Sequence, residues 1–157
     1  MTLKVNDWKQ VGHVYLWRYS ARRSKHAGWH MTADGDGCAS IADLLDRMSA
    51  EAVGHHRTIA LNAPSPEIFS VPNFGEPIRE KPGTLRIAYE PGYPDFEPSI
   101  ADGRMILRVG EEELPDLRSA FVEVSTGGGD FALWPKDKKA ATPIWFWWMP
   151  RQGKTRF

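Results

Sequence analysis

The chain alternates between two apolar rhythms, one with period two and one with a helical period. HVYLWRYS (13–20) and WHMTAD (29–34) are β-branched and aromatic, with Trp29, Met31 and Ala33 alternating against His30, Thr32 and Asp34. Both read as strands, and the polar ARRSKHAG between them makes 13–34 a predicted hairpin. DGDG (34–37) breaks that pattern. Ile41, Leu44, Leu45 and Met48 then fall on one helical face, with Val53 extending the stripe, Ser40 as expected cap and Gly54 as expected stop. RTIALN (57–62) is a short predicted strand.

The stretch 63–83, APSPEIFSVPNFGEPIREKPG, holds five prolines and predicts little regular structure. TLRIAYE (84–90) and RMILRVG (104–110) alternate as strands, joined by the proline-rich PGYPDFEPSIADG (91–103). A second helix is predicted from Pro115. Glu111, Glu112 and Glu113 precede it, where the helix dipole favours negative charge, and Leu114, Leu117, Phe121 and Val124 form its stripe. STGGG (125–129) ends it. DFALW (130–134) and PIWFWWM (143–149) are the last predicted strands.

The predicted class is α+β, a single domain over 1–157. It is a mainly antiparallel sheet with two amphipathic helices on one face, in the order ββαβ-ββαβ-β. The run Ile144, Trp145, Phe146, Trp147, Trp148, Met149 sends side chains to both faces of its strand. It is expected to pack a central strand, with helices over one face and the proline-rich loops as candidate cover for the other. Were that second face left open, the rings would form an exposed binding patch.

Composition limits the function. Lys plus Arg and Asp plus Glu are 20 each, so the net charge is zero, and general nucleic-acid binding is not expected. The distribution is uneven. Residues 1–30 carry six cations against Asp7, and 134–157 carry six against Asp137. Residues 90–116 carry eight acids against Arg104 and Arg108. MTLKVNDWKQVGH lacks an apolar signal core and no apolar run has membrane-spanning length, so a cytoplasmic protein without membrane contact is expected. Its oligomeric state is not legible.

Several chemistries are weighed and set aside. STGGGD has the glycines of a phosphate loop but places them after a helix, at its negative end. DGDG lacks the later glycine and glutamate of a calcium loop. His26, His30, His55 and His56 form no zinc motif. Cys38, the sole cysteine, precedes a helix, where a thiolate is stabilised, but His30 or His55 could serve as its base only if the fold brings it near. Tyr15, Trp17 and Tyr19 with Arg18 suit stacking on a single strand, yet the same rings suit a core. No catalytic residue, metal or cofactor is assigned.

The leading expectation is a non-catalytic cytoplasmic protein-binding protein. Its acidic, aromatic segment would meet a basic partner, with Tyr93 and Phe96 as anchors and Glu90, Asp95 and Glu97 steering. One alternative is a small-ligand site or enzyme under the 63–83 loop. Another is single-stranded nucleic-acid binding by the basic ends.

From LRIAYEP through DLRSAFVEVSTGGGDFAL to IWFWW, and in WHMTADGDGCASIADLLDRM and TIALNAPSPEIFSVPN, the chain resembles a group of small uncharacterised bacterial proteins. In that group a helix leads into a Gly-Asp-Phe or Gly-Asp-Tyr step, and an LWFWW-like strand closes the chain. The resemblance spans most of 13–149, with Ile144 in place of the leucine and a basic tail after Met149. It implies a shared fold and no activity. Small α+β proteins of this size include immunity and accessory proteins, which is an analogy of class.

Overall fold

The computed structural model describes residues 4–19, 28–71, 82–136 and 142–150. The hairpin forms as its alternation predicts. β1 (Val14–Trp17) pairs antiparallel with β2 (Trp29–Ala33), Val14 opposite Ala33 and Trp17 opposite His30. The polar loop at 20–27 lies outside the described residues. After β2 come α1 (Gly35–Glu51) and β3 (His55–Ala60), then a short α2 (Pro66–Phe69) and β4 (Thr84–Tyr89). β5 (Phe96–Ala101), β6 (Arg104–Val109), α3 (Leu114–Ser125), β7 (Phe131–Leu133) and β8 (Ile144–Phe146) complete the chain.

The α+β class holds, but the strands form two four-stranded mixed sheets rather than one mainly antiparallel sheet. Their orders are β1-β2-β8-β7 and β3-β4-β6-β5. In each, a later hairpin inserts its second strand beside the first hairpin, so β2 and β8 run parallel, as do β4 and β6. The chain order ββαβ-ββαβ-β is corrected accordingly. The second sheet is contiguous in sequence, and the first closes around it: ββ, α1, four strands, α3, ββ, with α2 inside the second block. The additional strand, β5, lies in the expected 91–103 connection. Only Phe96 of β5 is buried, so it has no alternating pattern. Pro98 is tolerated because β5 is an edge.

The two long helices pack against each other and over one face of the sheets. Ile41, Leu44, Leu45 and Met48 of α1 meet Leu117, Phe121 and Val124 of α3 in one buried cluster with Met31, Leu85, Leu107 and Phe146. That is the predicted stripe, except that Val53 is 53% exposed. The helix stops earlier, at Ala52, which takes the left-handed conformation itself. No helix of the described residues is long and apolar enough to cross a membrane.

The start of α1 is also corrected. Asp34, not Ser40, is the cap: its Oδ1 accepts from Gly37 N–H at 2.8 Å and from His13 N–H at 2.9 Å. Ser40 is a turn inside the helix and its Oγ accepts instead from Val11 N–H. Burial raises the Asp34 pKa. The bonds from His13 and Gly37, with the His13 ring at 2.7 Å, outweigh that and hold the carboxyl below its ordinary value. A depressed carboxyl adds stability above its unfolded pKa of ~3.9, and this is lost as pH falls through the folded value. Asp34→Ala is therefore expected to cost about 1–2 kcal/mol at neutral pH. Denaturation midpoints of wild type and variant should converge below about pH 4. A gap that stayed constant down to pH 2 would mean that the charge on Asp34 contributes nothing.

The end of α3 matches its sequence. Gly127 takes φ +91°, its N–H donates to Val124 O, and Gly128 N–H donates to Glu123 O at 2.8 Å. This pair of bonds satisfies the last carbonyls and turns the chain into β7.

The aromatic run fills both faces of β8. Ile144 and Phe146 point to the helices and are fully buried. Trp145 and Trp147 point the other way, into a second cluster with Tyr15, Trp17, Tyr19, Ile68 and Phe69. Its cover includes α2, from the proline-rich stretch, whose Ile68 is fully buried. Trp147 Nε1–H donates to Nδ1 of the buried His30 at 2.9 Å, and Thr32 Oγ1 donates to Trp147 O at 2.8 Å. Trp148 alone of the run's tryptophans is substantially open, at 40%.

Candidate functional site

The acidic segment lies where β4, β5 and β6 converge on the start of α3. Pro91 and Gly92 turn the chain after β4, and Tyr93 N–H closes the turn on Glu90 O at 2.9 Å. Glu90 N–H donates to Val109 O and Gly110 N–H to Asp95 O, so the loop is sewn to the β6–α3 junction by backbone bonds. That junction carries Glu111, Glu112 and Glu113. Two acidic stretches separated in sequence thus share one end of the molecule.

Gly110 permits the close approach. A Cβ there would lie 1.8 Å from Tyr93 O. The loop backbone occupies the space that a side chain would need.

Arg108 organises the surface. Its Nε and Nη2 donate to the two carboxylate oxygens of Glu90 at 2.9 and 2.8 Å, and its guanidinium lies 3.7 Å from the centre of the Tyr93 ring. The bidentate pair fixes the guanidinium plane, and the ring stacks under it. The Arg108 bond pulls the Glu90 pKa below its ordinary value. Burial, then Glu97, raise the Tyr93 phenol against the opposing effect of Arg108. Both groups hold their charge states at neutral pH. Glu90, Tyr93 and Arg108, with Gly54, Pro91, Gly92 and Pro94, line an open cleft of about 390 Å³.

The remaining predicted residues divide. Asp95 is a structural acid: its Oδ1 accepts from Phe96 N–H at 2.7 Å and from Lys136 N–H at 3.0 Å. Phe96 is corrected from anchor to core, because it is 2% exposed and sits in the main apolar cluster opposite Val109. Glu97 is exposed and lies across from Arg108 in register. Tyr93 is half-buried and presents the aromatic contact area. Sequence reading missed Arg108, although its outward position on β6 was visible in the alternation of RMILRV. It also missed Lys136, whose Nζ is 3.7 Å from Glu113. The C-terminal basic segment therefore does reach the acidic one at Lys136. Residues 137–141 and 151–157 lie outside the described residues.

The charge balance at this end is negative. Arg108 pairs with Glu90 and Lys136 with Glu113. Glu97, Glu111 and Glu112 are exposed and make no ion pair among the described residues.

Cys38, His30 and His55 are structural, and His56 is exposed. Cys38 is 1% exposed and burial, then Asp34, push its thiol up to about 12, so it is not a thiolate at neutral pH. His30 lies in the aromatic cluster, stacked between Trp17 and Trp147, and His55 bonds Glu51 at 3.2 Å. His26 lies outside the described residues. Among the described residues, no group of three or more His, Cys, Asp or Glu is placed to hold a metal. Of the rings proposed for stacking on a single strand, Trp17 and Tyr19 are covered, at 0% and 9% exposure, and Tyr15 is half-buried. The described part of the 63–83 stretch packs its Ile68 into the aromatic cluster, while 72–81 lie outside the described residues.

No family model, no curated protein and no solved structure matches this chain.

Proposed function

We propose that this is a non-catalytic protein-binding protein, and that the platform around Tyr93 takes a basic surface of its partner. The carrying observation is that Glu97, Glu111 and Glu112, exposed and without an ion pair among the described residues, border an ordered ring–guanidinium–carboxylate stack. Unpaired carboxylates steer a basic partner and a fixed aromatic supplies contact area. Pro91 and Pro94 flank Tyr93 and limit the freedom lost on binding. An accessory or immunity-like role in the cytoplasm fits such a protein by class analogy alone.

The test is capture from host extract with wild type, Tyr93→Ala and Glu111→Lys/Glu112→Lys. These positions are on the surface, so all three forms are expected to stay folded. Wild type is expected to retain a basic protein that Tyr93→Ala holds less well and the charge-reversed form loses. An identical set of captured proteins from all three folded forms would remove this surface from any binding role.

A further inference from the structure

Seven arginines lie among the described residues, and five are engaged. Arg18 stacks on Trp29, and Arg57 donates to Val5 O and Trp8 O. Arg47 pairs with Asp43, Arg108 with Glu90 and Arg118 with Asp46. Arg86 and Arg104 have no ion pair and no side-chain hydrogen bond among the described residues. Both are half-buried, and Arg86 Nε is fully buried without an acceptor. Partial desolvation of a guanidinium is costly unless its donors are met, so two such groups side by side point to an acceptor from outside.

They share the outward face of the second sheet. In register, Thr58, Arg86, Ile106 and Ser99 form one row, and Ala60, Thr84, Arg104 and Ala101 the next. Neither apolar cluster includes a residue of these rows, and Thr58, Ala60, Ser99 and Ala101 in them are exposed. Each arginine has a threonine directly beside it on the neighbouring strand, Thr58 next to Arg86 and Thr84 next to Arg104.

We infer that this face docks an extended acidic segment of a partner protein, with alternate carboxylates of that segment pairing with Arg86 and Arg104. The spacing fits. Diagonal neighbours on adjacent strands have side chains about 7–8 Å apart. Alternate side chains of an extended peptide recur every ~6.4–6.8 Å. The threonine hydroxyls supply further donors, and Ile106 and Ala88 an apolar floor. A carboxylate arriving from solvent gives each guanidinium the ion pair that it lacks among the described residues. A nucleic-acid strand is disfavoured because these rows contain no ring for a base to stack on, and the chain has no net positive charge. Strand addition at the β5 edge is disfavoured because Pro98 interrupts β5 there. The inference does not rest on the acidic platform: its arginines are different, and the platform's Arg108 and Glu97 occupy the next row of the same face.

Fluorescence anisotropy tests it, with a short labelled peptide of alternating glutamate and serine, wild type, and Arg86→Gln/Arg104→Gln. Gln keeps part of the stem and removes the charge, and an unchanged melting temperature confirms the fold. Binding by wild type should weaken with added salt and fall roughly tenfold or more in the variant. Equal binding by both forms, or none by wild type, overturns the proposal. So does tighter binding of a short oligothymidylate, which makes the face a nucleic-acid surface. Competition by inorganic phosphate as strong as by unlabelled peptide also overturns it, because the arginines then bind small anions generally. Tyr93→Ala serves as the control: full peptide binding by it separates this face from the platform, whatever the capture experiment gives.

Discussion

Phe146→Ala is expected to destabilise the fold by about 3–5 kcal/mol, the usual cost of emptying a large buried aromatic site. Phe146 is fully buried on the central strand β8, between Met31 of β2 and Phe131 of β7 in register. Phe121 of α3 meets it edge-on at 5.4 Å, and Phe131 stacks on it at 5.6 Å. The ring therefore ties the first sheet to the helix layer. Its neighbours come from three elements, so the cavity cannot close by a shift of one of them. For a chain of this size, each kcal/mol lowers the melting temperature by about 2–4 °C. Trp148→Ala is the control: at 40% exposure, and outside both buried clusters, it should cost far less. A Phe146→Ala midpoint no lower than that of Trp148→Ala would refute the reading of the aromatic run as core.

The run was legible because its period-two pattern held on both faces at once. Ile144 and Phe146 belong to one cluster and Trp147 to the other, as six bulky residues in succession require. The helices were legible from their stripes. Strand partners were not, because partner choice is a long-range property. Nothing local in RMILRV says that it inserts beside TLRIAY, parallel to it, with β5 outside. β5 itself was invisible since an edge strand with one buried residue has no alternation. The cap at Asp34 was misjudged because two glycines follow it. Glycine is a weak helix former, and here the bonds from His13 and Gly37 to the Asp34 carboxylate outweigh that preference.

The candidate site was half legible. Acidic side chains between prolines announce an exposed turn, and Glu90, Tyr93 and Glu97 are at the surface. Phe96 and Tyr93 look equivalent in PGYPDFEP. Only the register distinguishes them, since Phe96 is the first residue of β5 and points inward opposite Val109. The clamp by Arg108 and the arrival of Glu111 and Glu112 needed the parallel pairing of β4 with β6, which brings the ends of both strands together.

That junction yields the second large effect. Gly110→Ala is expected to cost about 2–4 kcal/mol, well beyond the usual gain or loss for glycine. The new Cβ would meet Tyr93 O at 1.8 Å and Tyr93 C at 2.9 Å, with Glu113 Oε1 at 3.1 Å. The first two are backbone atoms and cannot swing aside as a side chain can. Relief requires the β4–β5 loop to lift, which breaks the bond from Gly110 N–H to Asp95 O at 3.0 Å. It also draws the Tyr93 ring away from the Arg108 guanidinium. The core beneath, from Val109 to Leu114, has no reason to move, so the damage should be local first. Hydrogen exchange resolves this: the Gly110 and Tyr93 amides should lose protection in the variant while α3 amides keep most of theirs. Gly83→Ala is the matched control, because a Cβ there meets nothing within 4 Å. An unfolding midpoint for Gly110→Ala equal to that of Gly83→Ala would show that the loop accommodates a methyl group, and that its close seating on the β6–α3 junction is not what holds the platform in place.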